Sequence, residues 1–276
     1  MPELPEVETV IRSLFLIKGK KIKSVEVFKE KLIKGNICKE SFAYFLSGKT
    51  VNDIKRKGKY IFFLLEDLVL INHLRMTGKY IFEDYFNPIY HQNSLCLIFN
   101  FEDNTKIFFC DSRNFATFHL QNISIYQSLY PYNKIGLDLV NDEINIDHVF
   151  NSFKNKKIPI KASILEQSVI SGIGNIYASE ILFAIKIHPL SITNLLSFNQ
   201  IESLINKSIE ILIQSIELKG TSISDYVSPE NKKGSFQNQL KVYGRTGKSC
   251  FNCLAKIVKI NVDNRSTFFC PVCQKI

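Results

Sequence analysis

The chain has 276 residues, 45% of them hydrophobic, and a formal charge of +9. That length holds one large core or two modest ones, and the apolar content is that of a globular protein. Its longest mainly apolar stretch, residues 61–72, is interrupted by Glu66 and Asp67, and the first six residues carry two acids and no basic segment, so a membrane span and a secretory signal are both set aside.

The amino terminus is the first stretch with chemistry in it. Removal of Met1 exposes Pro2, whose secondary amine has a reference pKa of about 8, against about 10.4 for a lysine. Such an amine attacks a carbon bearing a leaving group and carries the electrons as an iminium ion; read plainly, Pro2 is only a rigid start. Val7, Val10, Ile11 and Leu14 follow at helix spacing, with Pro5 in the first turn and Glu3 and Glu6 at the positive helix end. Both acids read as helix capping, or as groups beside the amine.

Residues 20–118 read mainly as short β-branched or aromatic strands separated by Gly, Asn, Asp or Pro turns. They include 31–40, 43–46, 50–57, 59–65, 67–72, 94–99 and 106–110, and they predict a sandwich or barrel-like sheet. Lys59 opens an apolar strand behind the basic run Lys55-Arg56-Lys57. Residues 73–78, with His73 and Met76, and residues 111–116, with Arg113 and Phe115, read as loops. Taken singly, Met76 and Phe115 read first as core; with DNA as partner they are wedges that fill the gap left by an extruded base. Cys38, Cys96 and Cys110 read as small buried hydrophobes.

The pattern changes near residue 133, and helices are predicted over 147–156, 164–171, 175–183 and 198–217. Gly172-Ile173-Gly174-Asn175 before the third of these permits a tight turn and an anion at a helix start, or is a plain helical turn; without a following Gly-Lys-Ser/Thr it is no nucleotide-hydrolysing loop. Residues 219–234 form a polar loop of the kind that covers a site.

The last stretch is the most specific. Cys250 and Cys253 are separated by sixteen residues from Cys270 and Cys273, which predicts one structural, four-thiolate zinc ion holding a two-stranded ribbon with Arg265 near its tip. Four protein ligands leave no open position for chemistry on the metal. Residues 219–276 hold ten Lys or Arg against three Asp or Glu, which points to nucleic acid ahead of membrane, with a solubilising surface as the plain alternative. Seven cysteines, an odd number, fit a reducing cytosol.

Taken together, residues 2–8 (PELPEVE), 58–60 (GKY), 73–78 (HLRMTG), 111–115 (DSRNF), 172–180 (GIGNIYASE), 242–245 (VYGR) and the ribbon ending CPVCQ resemble the bacterial formamidopyrimidine-DNA glycosylases, of the formamidopyrimidine-DNA glycosylase and endonuclease VIII family. The resemblance covers essentially the whole chain, and Leu4 sets it apart from the endonuclease VIII branch. It implies a β-sandwich with a leading helix over residues 1–133, a helix–two-turn–helix module with a lesion-capping loop over 134–234, and a zinc-finger ribbon over 235–276. It implies a monomeric, cytoplasmic enzyme that removes oxidised purines (8-oxoguanine and formamidopyrimidines) from damaged double-stranded DNA and then cleaves the strand by β,δ-elimination.

By the same resemblance Pro2 is the nucleophile, Glu3 an acid/base on the sugar, Glu6 an ordering carboxylate and Lys59 a catalytic and phosphate-serving lysine. Met76, Arg113 and Phe115 fill the void. His73, His91, Lys161, Asn175, Tyr243 and Arg265 are DNA-backbone or site contacts. Glu180 lies near the lesion pocket, and Thr221, Ser222, Ile223, Ser224, Asp225 and Tyr226 form the capping loop. Three positions depart from the family pattern: Ala116, Lys219 and Leu254 stand where glycine is usual. A pyrimidine-specific glycosylase, a non-enzymatic DNA-binding module and an RNA-associated zinc ribbon remain as alternatives, and a trapped covalent adduct separates the enzymes from the binders.

Overall fold

The computed structural model describes residues 1–222 and 227–276. It divides into two compact units, residues 1–133 with 218–235 and residues 134–217 with 236–276. Segment 218–235, grouped on sequence with the helical module, packs in the first unit.

The first unit starts with α1 (Leu4–Leu14), whose Leu4, Val7, Val10, Ile11 and Leu14 are buried. Each of these side chains contributes about 1.5–3 kcal/mol on leaving water. Arg56 fixes the helix from outside. It is itself buried, its Nε donates to Glu8 Oε2 at 2.9 Å, and its Nη1 donates to Gly58 O at 3.1 Å.

Two sheets follow. In chain order the elements are β1 (Ile22–Val27), β2 (Ile33–Lys34), α2 (Lys39–Leu46), β3 (Asp53–Lys57), β4 (Tyr60–Leu64), β5 (Leu68–His73), β6 (Lys79–Phe82), α3 (Pro88–His91), β7 (Leu95–Phe101), β8 (Lys106–Cys110) and β9 (Thr117–Asn122). The first sheet has the order β1-β7-β8-β6 and is antiparallel. The second has the order β2-β9-β5-β4-β3, antiparallel except for the β2–β9 pair. One core joins α1, α2 and both sheets, with Phe109 and Phe118 edge to face at 4.8 Å.

Segment 43–46, expected as a strand, is the end of α2. Phe42 and Leu46 stand four apart, on one helical face, and both are buried. The expected strand 31–40 contracts to β2, since Gly35 turns the chain at φ 93° and residue 39 already begins α2. Cys96 and Cys110 are buried, whereas Cys38 is exposed.

The second unit holds β10 (Leu137–Asp138), α4 (Ile146–Phe153), α5 (Ile160–Leu165), β11 (Ile170–Ser171), α6 (Asn175–Ala184), α7 (Phe198–Glu217), β12 (Val258–Val262) and β13 (Arg265–Phe269). The helix expected over 164–171 lies earlier, as α5. Pro159 sits at its N-cap, where a missing N–H costs nothing, and Ile170 is drawn into a parallel pair with Leu137. In the ribbon, β12 and β13 pair antiparallel around Asp263-Asn264, at φ 49° and 57°, the left-handed pair a two-residue hairpin turn requires. Among the described residues no helix is long and apolar enough to cross a membrane.

Two of the three departures from glycine keep the backbone that glycine favours, Lys219 at φ 60° and Leu254 at φ 64°. Leu254 is also 75% exposed, so its side chain returns little packing for the strain. Leu254→Gly is therefore expected to stabilise the ribbon by about 1 kcal/mol. A chelator-competition or urea midpoint that fails to rise contradicts this.

Candidate functional site

In the first unit Pro2, Glu3 and Glu6 are buried together at the start of α1. Glu3 and Glu6 close a capping box, in which the Glu3 N–H donates to Glu6 Oε2 at 2.8 Å. The other carboxylate oxygen, Glu6 Oε1, accepts the Thr221 N–H at 2.7 Å. Gly220, at φ 76°, lies directly on this carboxylate, and a Cβ there would come within 2.7 Å of Oε1. Glu6 thus ties the amino-terminal dipeptide to the base of the 219–234 loop. Across that base the Gly234 N–H donates to Ser222 Oγ at 3.0 Å. Ile223, Ser224, Asp225 and Tyr226 lie outside the described residues.

Lys59 is buried at the turn between β3 and β4. His73 ends β5 with its ring edge-on to Tyr60, centroids 4.5 Å apart, and its Nδ1 accepts the Arg75 N–H at 2.9 Å. Burial, then the charges of Arg75 and Lys59, push the His73 pKa down to about 3. The folded value lies below the unfolded one, so the unfolded chain takes up the proton first. Stability is complete above about pH 6.5 and declines as pH falls towards the folded pKa. His73→Asn retains an acceptor and cannot titrate, so between about pH 6 and pH 4 its stability is expected to fall less steeply than that of the parent, by about 1.4 kcal/mol per pH unit. Equal slopes of the urea midpoint in the two proteins contradict this.

Met76 and Phe115 are 40% and 58% exposed, and Arg113, two residues before Phe115, is also exposed. They are not core residues. Their loops are organised by a group that sequence reasoning missed, the buried carboxylate of Asp111. The signal for it was an Asp opening a Ser-Arg-Asn turn, the residue type that accepts hydrogen bonds from the backbone just ahead of it. His91, at the end of α3, is half-buried and stacks on Phe86, centroids 5.5 Å apart.

The second unit places the remaining expected residues, some of them inside. Lys161, expected to touch DNA, is fully buried. Its Nζ donates to Thr267 Oγ1 at 2.8 Å, Ser179 Oγ at 3.2 Å and Ser266 O at 3.4 Å. Asn175 Nδ2 also donates to Ser266 O, at 2.9 Å. These two side chains fasten β13 to α5 and α6.

Glu180, expected near the lesion, is likewise internal. Its carboxylate accepts the N–H groups of Lys241, Val242 and Tyr243 at 2.7, 3.0 and 2.8 Å. Burial raises its pKa and the three amides oppose the rise. The turn so fixed sets the Tyr243 ring edge-on to Phe268 at 4.8 Å. Arg265 stays exposed at the ribbon turn, 3.9 Å from Asp263.

The sulfur atoms of Cys250, Cys253, Cys270 and Cys273 all lie within 4.8 Å of one another, Cys250–Cys273 at 3.9 Å and Cys253–Cys270 at 3.4 Å. Tetrahedral zinc with bonds of about 2.3 Å needs sulfurs about 3.8 Å apart. The Asn252 and Cys273 N–H groups point at Cys250 Sγ and Cys270 Sγ, each at 3.4 Å, as donors to thiolates do. The set fits one zinc ion, which supplies cross-linking and no chemistry.

Residues 1–118 match the family model of the Formamidopyrimidine-DNA glycosylase N-terminal domain, residues 135–227 that of the H2TH domain, and residues 247–276 that of the zinc finger found in FPG and IleRS. The formamidopyrimidine-DNA glycosylase of Mycoplasmopsis pulmonis is 41% identical, over 100% of this chain and 98% of that protein. Two solved structures from Lactococcus lactis are also similar. The complex of its Fpg with an abasic-site DNA has a TM-score of 0.90 and 37% identity, over 99% of this chain and 100% of that one. The complex with an N7-benzyl-Fapy-dG DNA has a TM-score of 0.90 and 37% identity, over 100% of both chains. With a buried Pro-Glu start, two loops presenting Met76, Arg113 and Phe115, and a four-cysteine zinc finger, the chain belongs to the formamidopyrimidine-DNA glycosylase family, DNA glycosylases with abasic-site lyase activity.

Proposed function

We propose that this enzyme excises 8-oxoguanine and formamidopyrimidines from duplex DNA through a Schiff base on Pro2, and then cuts the strand by β,δ-elimination. The observation that carries the proposal is the anchored amino terminus, where Glu6 holds the Glu3 N–H and the Thr221 N–H at once. While Met1 is attached the Pro2 nitrogen is an amide and is not nucleophilic. After removal of Met1 it is a secondary amine of modest basicity, held beside two carboxylates.

The damaged nucleotide leaves the stack at a cost of about a few kcal/mol, and Met76, Arg113 and Phe115 occupy the vacancy. The Pro2 nitrogen bonds to C1′ and gives up its proton as the base departs with its electron pair and takes up a proton; Glu3 then protonates O4′, the C1′–O4′ bond breaks, and the nitrogen lone pair forms the iminium. The resulting iminium acidifies the C2′ proton. Loss of that proton expels the 3′ phosphate, and a second elimination expels the 5′ phosphate. Lys59 in the first unit, and Asn175 and Arg265 in the second, serve the phosphates. Lys161 and Glu180 support the ribbon and the 241–243 turn. The proposed setting is a monomer acting in the cytosol.

Borohydride trapping on a duplex with 8-oxoguanine opposite cytosine is the test. It is expected to give one covalent adduct whose mass maps to Pro2. An adduct elsewhere, or strand cleavage at full rate by protein that retains Met1, contradicts the proposal.

A further inference from the structure

Two loops of the first unit, 74–78 and 111–116, present the three side chains assigned to the vacated stack, and each loop is bent at a non-glycine residue in the left-handed region, Arg75 at φ 55° and Asn114 at φ 54°. Backbone of that kind persists only where its surroundings hold it. In the first loop the Arg75 N–H is held by His73 Nδ1 at 2.9 Å, and one further side chain holds both loops. Asp111 is fully buried, and its Oδ2 accepts the N–H of Phe115 at 2.7 Å and of Ala116 at 2.8 Å. Its Oδ1 accepts the Arg113 N–H at 3.1 Å and the Thr77 hydroxyl, from the other loop. Thr77 Oγ1 in turn receives the Arg113 N–H at 3.3 Å. The 74–78 loop is closed behind Thr77 by the Gly78 N–H on Leu74 O at 3.0 Å, where a Cβ at residue 78 would come within 2.4 Å of that oxygen.

We propose that Asp111 is a positioning residue for base extrusion, which through Thr77 locks the two loops together so that Met76, Arg113 and Phe115 enter the stack as one rigid unit. The inference rests on the void-filling role given to those three residues above. Asp111 lies beneath the presented side chains and touches no DNA itself. Its carboxylate replaces the water that the Arg113, Phe115 and Ala116 amides would otherwise require, and so it removes the conformational freedom that would blunt a wedge.

The test compares Asp111→Asn, Thr77→Val and Thr77→Ser with the parent on two substrates. One is a duplex carrying 8-oxoguanine opposite cytosine, read as single-turnover base release. The other is a single-stranded oligonucleotide with one abasic site, read as borohydride trapping, where no base need be extruded and no stack need be filled. Asp111→Asn and Thr77→Val are expected to slow the duplex reaction by about 10- to 100-fold and to change trapping on the single strand by less than about twofold. Thr77→Ser, which restores the hydroxyl, is expected to recover most of the duplex rate. Equal losses on the two substrates, or an unchanged duplex rate in Thr77→Val, overturns the inference even if Asp111→Asn fails to fold. A parent protein that traps on the abasic strand but releases no base from the duplex overturns instead the substrate proposed above.

Discussion

Glu3→Gln is expected to lower base release by about 10²- to 10⁴-fold, the range lost when a positioned acid/base is removed. The fold gives this variant its meaning. Glu3 caps α1 through the box it forms with Glu6, and a glutamine accepts the same amide hydrogen bond. The helix start and the Glu6–Thr221 link therefore survive the substitution. What disappears is a carboxyl able to give and take a proton beside the sugar. Affinity for lesion-bearing duplex is accordingly expected to stay within about threefold of the parent. Single-turnover release and fluorescence anisotropy on the same oligonucleotide separate the two quantities. Full turnover by the variant removes Glu3 from the chemistry, and a parallel loss of binding assigns it to folding.

Cys250→Ser is expected to take the zinc content from one ion per chain to none and to unfold the ribbon, because a structural zinc site contributes about 10–16 kcal/mol. Cys250 is fully buried, and the apolar packing around it is small: Phe183, Val242, Ile257 and Cys270, with Ala255, Phe268 and Cys273 partly buried against them. Helices α6 and α7 should remain, since Tyr177, Ile181, Ile201, Leu204 and Leu212 are buried within the helical part. Arg265 loses its fixed place on the hairpin, so duplex affinity should fall and the slope of log affinity against log salt should flatten by about 0.9 for each phosphate no longer neutralised. Metal analysis, thermal melting and titrations at several salt concentrations check the three parts. Zinc-free protein with unaltered affinity contradicts the role given to the ribbon.

How far the chain could be read from residues alone depended on whether the signal was local. Four cysteines at fixed spacing identify their ligand set without any tertiary information, and the sulfurs do converge. Helix α7 was legible over its whole length because Ile201, Leu204, Ile205, Leu212 and Ile216 repeat at the helical period. Segment 43–46 was not legible, because a short aromatic run suits a strand as well as a helix until its neighbours are known. Burial was the larger blind spot. Lys161 and Glu180 are charged and stand in a basic, motif-bearing chain, so they were assigned to DNA and to the neighbourhood of the lesion, yet each serves as an internal brace with partners that include groups more than sixty residues away in sequence. Arg56 was hidden in the same way inside the run Lys55-Arg56-Lys57, and its burial and its hydrogen bonds to Glu8 and Gly58 O show that it faces inward. Asp111 was overlooked because an acid beneath a surface meant for a polyanion runs against the charge pattern, and the hydrogen bonds that justify it appear only once the loop has closed.

The close approach of Gly220 to the Glu6 carboxylate bears on how this enzyme could be rebuilt. Any larger residue at 220 would shove that carboxylate off the Glu3 amide and disturb the reactive end of the chain from more than two hundred positions away. The other end of the loop base is held as well, since the Gly234 N–H is bound to Ser222 Oγ and a Cβ at 234 would strike the Gly220 carbonyl oxygen. Loop exchanges meant to test whether this segment selects the damaged base are therefore best made with Gly220, Thr221 and Gly234 retained.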